Sequence, residues 1–142
     1  MSSGKLIETH KNGAEIHKGD ACKAKTLEFI DEIMMPRELM PLDEIEEIGI
    51  NRNAGFVWLR LKKKIEKKFK KIGSTVIYSV EITAFFEKGH MSKVNGVKAK
   101  ELLLPVVVND ILVGQPGPNM IKFTTPVGLS RSHPISAFEP EN

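Results

Sequence analysis

Seven lysines between residues 62 and 71, with one acidic residue among them, form the strongest charged feature of the sequence. Gathered on one face, they would attract anionic lipid headgroups by up to about 1 kcal/mol per lysine, or nucleic-acid phosphates through counterion release. Nucleic acid is disfavoured, because base stacking uses several aromatic side chains and the run contains only Phe69. The plainer interpretation, which we favour, is an edge strand that lysine keeps from aggregating. The candidate anionic-surface residues are Lys62, Lys63, Lys64, Lys67, Lys68, Lys70 and Lys71.

Ser130 is the one serine whose neighbours suggest nucleophilic catalysis. The segment Gly128–Ser132 reads GLSRS, which resembles the nucleophile elbow G-x-S-x-G with its last glycine replaced by serine. His133 and Asp110 are available as base and orienting acid. The elbow requires a turn from a strand into a helix, however, and Pro134 disfavours a helix there. An ester hydrolase using Ser130 and His133 therefore stays an alternative, while we assign no catalytic residue and favour a protein that is not an enzyme.

Metal and cofactor chemistry find little support in the sequence. The four histidines, His10, His17, His90 and His133, are scattered, and Cys22 has no partner at ligand spacing. The glycine-containing loop QPGPN lacks the lysine and the following helix of a phosphate-binding loop. We predict no metal, no cofactor and no disulfide, and we expect Cys22 to be a surface thiol.

The element that must position any site is the segment Ser74–Glu87, the longest stretch with a period of two. Its polar side chains, such as Glu81 and Thr83, alternate with an apolar series. This pattern predicts a strand near the centre of an antiparallel sheet, with one face in a core and the other in water. The apolar face consists of Val76, Tyr78, Val80, Ile82, Ala84 and Phe86.

Helical spacing appears once, between residues 22 and 35, where Leu27, Ile30, Ile33 and Met34 share one face. Pro36 is expected to end this helix. The following loop, PRELMP, is expected to tuck its Leu39 and Met40 beneath the sheet. Further strands are predicted at residues 45–50, 56–61 and 120–127.

Three other stretches are less regular. Residues 62–73 fit either an amphipathic helix or a strand, and we favour the strand because β-like segments flank it. Asn95-Gly96 is the strongest hairpin signal in the chain. Residues 97–108, which end in a continuous apolar run, predict a strand covered on both faces.

A length of 142 residues and a hydrophobic fraction of 41% indicate one ordinary globular domain. The predicted fold is mostly β, of the β-rich α+β class: an antiparallel sandwich or open barrel of six to eight strands with one N-terminal helix. Residues 1–20 are expected to be a flexible tail, residues 21–139 the domain and residues 140–142 a disordered tail. No apolar run is long enough for a membrane span and no secretory signal is visible, so an intracellular, cytoplasmic protein is expected.

Three stretches in the same chain order carry a family resemblance: Pro36–Pro41, Ile82–Val97 and Gly128–Phe138, the last reading GLSRSHPISAF. Together they resemble the plant family known as domain of unknown function five-three-eight. The resemblance implies one compact, mostly β domain whose fold is similar to half of the bactericidal/permeability-increasing protein. That protein holds lipid in an apolar cavity, so the resemblance implies a lipid or another apolar ligand.

The predicted function is therefore non-enzymatic binding of a lipid or other apolar ligand, with the lysines meeting an anionic headgroup or membrane surface. Besides the ester hydrolase, a charge-driven protein-interaction module remains an alternative. The predicted ligand-binding residues combine the apolar face of the long strand with the apolar run that follows: Val76, Tyr78, Val80, Ile82, Phe86, Leu102, Leu104 and Val106.

Overall fold

The structure is a computed structural model that describes residues 2–101 and 104–139. Within these residues the chain forms two α-helices, α1 (Ser3–His10) and α2 (Cys22–Glu32), and ten strands. The strands are β1 (Glu15–Lys18), β2 (Ile45–Asn51), β3 (Phe56–Leu61), β4 (Ile65–Phe69), β5 (Ser74–Glu87), β6 (His90–Glu101), β7 (Leu104–Val107), β8 (Asp110–Val113), β9 (Met120–Thr124) and β10 (Ser130–Pro134). Short 3-10 helices lie at Gly19–Ala21, Arg37–Leu39, Leu42–Glu44 and Ile135–Phe138.

All ten strands belong to one antiparallel sheet, in the order β1-β2-β3-β5-β6-β8-β9-β10, with β4 added beside β5 and β7 added beside β6. The sheet is not closed into a barrel. The predicted β-rich, antiparallel class is confirmed, although the described residues contain more strands than the six to eight expected and a second helix.

β5 is the central strand of the sheet, and its bounds coincide with the predicted segment Ser74–Glu87. Its first half pairs with β4 and its second half with β3, while β6 runs along its other edge. The first and second halves of β5 therefore have different neighbours. This division separates the part of the core that is filled from the part that is open.

The two halves of β5 are joined by an irregularity. Tyr78 pairs with Val97 and Thr83 with Asn95, so four residues of β5 face the single residue Gly96 of β6. The bulge shifts the alternation, and Val80, predicted on the apolar face, is 52% exposed. The predicted hairpin at Asn95-Gly96 is also wrong, since β6 continues through both residues and the chain reverses instead between Glu87 and His90.

The predicted helix is present as α2, and Ile30 of its predicted apolar face is buried in the core; Phe29, which is not part of that face, is buried beside it, whereas Leu27 is only half-buried. The helix ends earlier than expected, because Met34 has a φ of 61° and the Met35 amide donates to the Ile30 carbonyl at 3.0 Å. This is a Schellman-type end, and it leaves Met34 65% exposed rather than in the core. Cys22 is fully buried at the start of α2, which corrects the expectation of a surface thiol.

The first twenty residues contain α1 and β1, which the interpretation of a flexible tail missed. β1 pairs with β2, and α1 covers the outer face of the sheet by burying Ile7 against Phe56 and Trp58. Only one α1 side chain is fully buried, so the sequence shows no sustained apolar period there. The sequence indicates the covering helix only indirectly, through β3. The run FVWL of β3 is buried on both faces, so both faces of the sheet need a covering element there.

The apolar segment expected to form a single strand over residues 97–108 is instead a hairpin of β6 and β7. Residues 98–101 of β6 pair with β7, and the Val108 amide then donates to the Val97 carbonyl at 3.0 Å. Pro105 lies in β7 opposite Lys100, on a strand that pairs with β6. The predicted disordered tail at residues 140–142 lies outside the described residues.

Candidate functional site

The first half of β5 forms one wall of an apolar cavity with a volume of about 340 Å³. Two rows of side chains cross the sheet on this wall. Val76 pairs with Ala99, and Ala99 pairs with Val106 of β7. Tyr78 pairs with Val97, next to Val108. Because side chains two apart point to the same face of a strand, both rows face the cavity.

The floor of the cavity comes from the loop between α2 and β2, as the sequence predicts. Leu39 and Met40 are buried and line the cavity. The Tyr78 hydroxyl donates a hydrogen bond to the Leu39 carbonyl and so connects the wall to the floor. Burial, and then the negative charge of Glu38, raise the pKa of Tyr78 far above its usual value, so the phenol stays neutral. Tyr78 is thus a structural donor and not a nucleophile.

The mouth of the cavity lies at the turn between β9 and β10. Leu129, Ser130 and Arg131 line the cavity and are also exposed, which shows that it opens to solvent there. Thr124, Thr125 and His133 belong to the same lining. The mouth therefore combines polar residues with Leu129 while the wall is apolar, an arrangement suited to an amphipathic ligand.

Aromatic rings close the cavity on the side of the last 3-10 helix. The ring centroids of Phe69 and Phe138 are 4.8 Å apart, and those of Phe123 and Phe138 are 5.3 Å apart. Lys71 Nζ donates to the Ser136 carbonyl at 3.0 Å and holds this 3-10 helix against the β4–β5 turn. Phe138 was not predicted as a site residue, although it stands within the resemblance motif GLSRSHPISAF.

The predicted ligand-binding residues fall into separate environments. Val76, Tyr78 and Val106 line the cavity, whereas Val80 points into solvent. Ile82 borders a second void of only about 20 Å³ beneath α2, and Phe86 packs on the Phe29 ring at 4.9 Å. Leu104 is 69% exposed, and Leu102 lies outside the described residues. Binding by any of these residues stays a prediction.

The sequence does not single out several residues of this lining. Val97 and Ala99 stand in a segment that alternates with lysine, VKAK, and their cavity-facing position follows only from their pairing with β5. Phe123 and Leu129 come from the far end of the chain and meet the cavity because β9 and β10 complete the sheet edge. The apolar periodicity of one segment cannot show which distant segments will lie beside it.

The seven lysines do not lie on one face. Lys62 to Lys64 precede β4, Lys67 and Lys68 belong to it, and Lys70 and Lys71 follow it. Lys67 Nζ donates to the Glu38 carbonyl at 2.7 Å and to its carboxylate at 3.0 Å, whereas Lys68 is exposed. The preference for a strand in this segment is confirmed, and among the described residues β4 pairs only with β5. Anionic binding by these lysines stays a prediction.

Ser130, His133 and Asp110 do not form the arrangement of a nucleophile elbow. Ser130 begins β10 after the turn at Gly128, where the elbow would require the start of a helix. Asp110 Oδ1 lies 2.8 Å from Nε2 of His90, so its nearest imidazole is His90. Ser130 and His133 both line the cavity, and the hydrolase alternative gains no support from the strand that begins at Ser130.

Other reactive groups are dispersed. Among residues 2–101 and 104–139, no group of three or more His, Cys, Asp or Glu side chains is placed to hold a metal ion. The Cys22 thiol donates to the His17 carbonyl at 3.4 Å, and burial raises its pKa. No helix among the described residues is both long and apolar enough to cross a membrane.

The fold and the cavity define a β-rich protein in which one antiparallel sheet holds an apolar chamber of small-molecule size. Residues 26–139 match the family model described as protein of unknown function, DUF538. This match spans most of the 142 residues, and the chain belongs to that family. Searches of curated proteins and of solved structures found no match. The implied similarity to the bactericidal/permeability-increasing protein therefore stays a prediction. The family match begins at residue 26, so α1 and β1 lie before the matched range.

Proposed function

We propose that this protein binds the hydrocarbon part of an amphipathic small molecule, such as a fatty acid or a lipid acyl chain, in the cavity beside β5. The observation that carries the proposal is the cavity itself, about 340 Å³ enclosed by valine, alanine, leucine and phenylalanine side chains. Small-molecule sites typically occupy about 300 to 1,000 Å³ and are mainly apolar, with few polar groups. The cavity has both properties.

Burial of hydrocarbon would supply the affinity. Each methylene moved from water into an apolar site contributes about 0.8 kcal/mol, so an acyl chain of roughly ten methylenes gains about 8 kcal/mol, from which the costs of ordering it are subtracted. The wall formed by Val76, Val97 and Val106 offers no polar group to such a chain. The hydroxyls of Thr124, Thr125 and Ser130 at the mouth would bind the polar end and keep it toward solvent.

The side chains around the cavity support binding without catalysis. The Tyr78 phenol stays neutral and is committed to the Leu39 carbonyl. Ser130 lacks the strand-to-helix turn of a nucleophile elbow. The proposal also includes an intracellular location and a contact between the lysines and an anionic headgroup.

Displacement of a fluorescent probe tests this function. 1-Anilinonaphthalene-8-sulfonate should gain fluorescence on binding the protein and lose it when laurate is added. Val106→Trp fills the cavity and should reduce laurate affinity about tenfold or more, since the indole takes space that the ligand would occupy. Val107→Trp is the matched control, because Val107 is the next residue of β7 and is exposed.

Two results would count against binding in the cavity. Equal laurate affinity in Val106→Trp and Val107→Trp would place the ligand elsewhere, provided that both variants unfold at the temperature of the unmodified protein. Absence of displacement by laurate, lysophosphatidylcholine and dodecanol alike would exclude the whole class of ligand.

A further inference from the structure

We infer that the rim of the cavity is a docking surface for an anionic lipid bilayer, an inference that rests on the proposed function and names where the ligand is taken up. The rim carries exposed apolar side chains next to the mouth. Leu129 is 67% exposed although it lines the cavity, and Val127, two residues earlier, is 82% exposed. Side chains of this kind are normally buried or at interfaces when they cluster.

The turn that presents Val127 is braced by hydrogen bonds. The Thr125 amide donates to the Leu129 carbonyl at 2.8 Å, and the Gly128 amide donates to the Thr125 carbonyl at 3.0 Å. The Leu129 amide also donates to Thr125 Oγ1 at 3.2 Å. The turn therefore holds its apolar tip away from the core instead of folding it inward, where the cavity has room.

β7 contributes a second apolar element to the rim. Leu104 lies two residues before Val106, so both side chains point to the same face of β7. Val106 lines the cavity and Leu104 is exposed, which extends the apolar wall outward to the end of the strand. A chain leaving a bilayer along this wall would enter the cavity without crossing water.

Positive charge lies beside this rim. Lys70 and Lys71 are exposed in the β4–β5 turn, immediately before the cavity-lining residues Ile72 and Ser74. Lys98 and Lys100 of β6 do not add to it, because they alternate with the cavity-lining Val97 and Ala99 and therefore point to the other face of the sheet. Apolar tips flanked by cations match the interface of a membrane that carries anionic headgroups, where the tips enter the acyl boundary and the cations meet phosphates.

Co-sedimentation with vesicles tests the docking surface. The unmodified protein should bind phosphatidylcholine vesicles that contain about one third phosphatidylserine, and bind pure phosphatidylcholine vesicles at least about tenfold more weakly. The double variant Leu104→Asp/Val127→Asp should lose about tenfold or more in affinity for the anionic vesicles. Met34→Asp is the control, because Met34 is exposed elsewhere on the molecule and aspartate tolerates its positive φ.

The charge contribution has its own variant and control. Lys70→Gln should weaken binding to the anionic vesicles by about fivefold, and added salt should reduce the difference. Lys88→Gln should leave binding unchanged, since Lys88 is exposed in the β5–β6 turn at the other end of the long hairpin.

Laurate displacement in solution separates this inference from the proposed function. Leu104→Asp/Val127→Asp should still bind laurate, because neither residue lines the cavity, while Val106→Trp should lose laurate and still bind anionic vesicles. Equal binding of the unmodified protein to neutral and anionic vesicles would overturn the inference, as would full binding by the aspartate double variant. A rim that drives self-association in sedimentation velocity without binding vesicles would also overturn it, in favour of a contact between copies of the chain.

Discussion

Tyr78 is the residue on which the geometry of the cavity depends most directly. It is buried in the wall, and its hydroxyl reaches the carbonyl of Leu39 in the floor. Five residues further along the same strand, Thr83 is equally buried but pairs with Trp58, whose side chain packs on Ile7 of α1 at the other face of the sheet. These two polar side chains of β5 illustrate a satisfied and an unsatisfied hydroxyl in one strand.

The Thr83 hydroxyl has no hydrogen-bond partner among the described residues. An unsatisfied buried hydroxyl costs about 1 to 3 kcal/mol, and valine has nearly the same shape. Thr83→Val should therefore raise the free energy of unfolding by about 1 kcal/mol, measured by urea denaturation.

Thr75→Val serves as the comparison for Thr83→Val, because Thr75 is partly exposed on the same strand and should change stability by less than about 0.5 kcal/mol. A loss of stability in Thr83→Val would contradict the expectation.

Among the elements, the bulge between β5 and β6 decides which side chains reach the cavity. It changes the register of β6 along β5, so that Val80 is exposed while Tyr78 and Ile82 stay buried. The sequence shows the extent of β5 because the apolar period is long. It does not show the bulge, because Asn-Gly satisfies a hairpin turn and a bulge equally well.

Gly96 is required at this bulge for two reasons. Its φ is 95°, and a Cβ at this position would lie 2.5 Å from the Glu81 carbonyl oxygen. Gly96→Ala should lower the free energy of unfolding by about 2 to 4 kcal/mol, measured by urea denaturation.

Gly117→Ala provides the matched control, since a Cβ at Gly117 would meet no atom within 4 Å. It should leave stability nearly unchanged. Equal stability of Gly96→Ala and Gly117→Ala would contradict the structure of the bulge.

For the molecule as a whole, the sheet supports a filled region and an open one. The second half of β5 packs under α2, and its first half borders the cavity. The class of fold, the central strand and the inward loop of Leu39 and Met40 follow from local patterns. The covering helix α1 cannot be predicted from such patterns, because it buries a single isoleucine. The cavity cannot be predicted either, because its lining comes from segments more than sixty residues apart.

The central claim is that an acyl chain occupies the cavity beside β5. Methyl-resolved NMR of the valine-labelled protein during a laurate titration tests it most directly. The claim predicts saturable shifts in the methyl signals of Val97, Val106 and Val108, which line the cavity, and unchanged signals from the exposed Val80 and Val107. Shifts confined to the exposed valines, or no shifts in any of them, would contradict it.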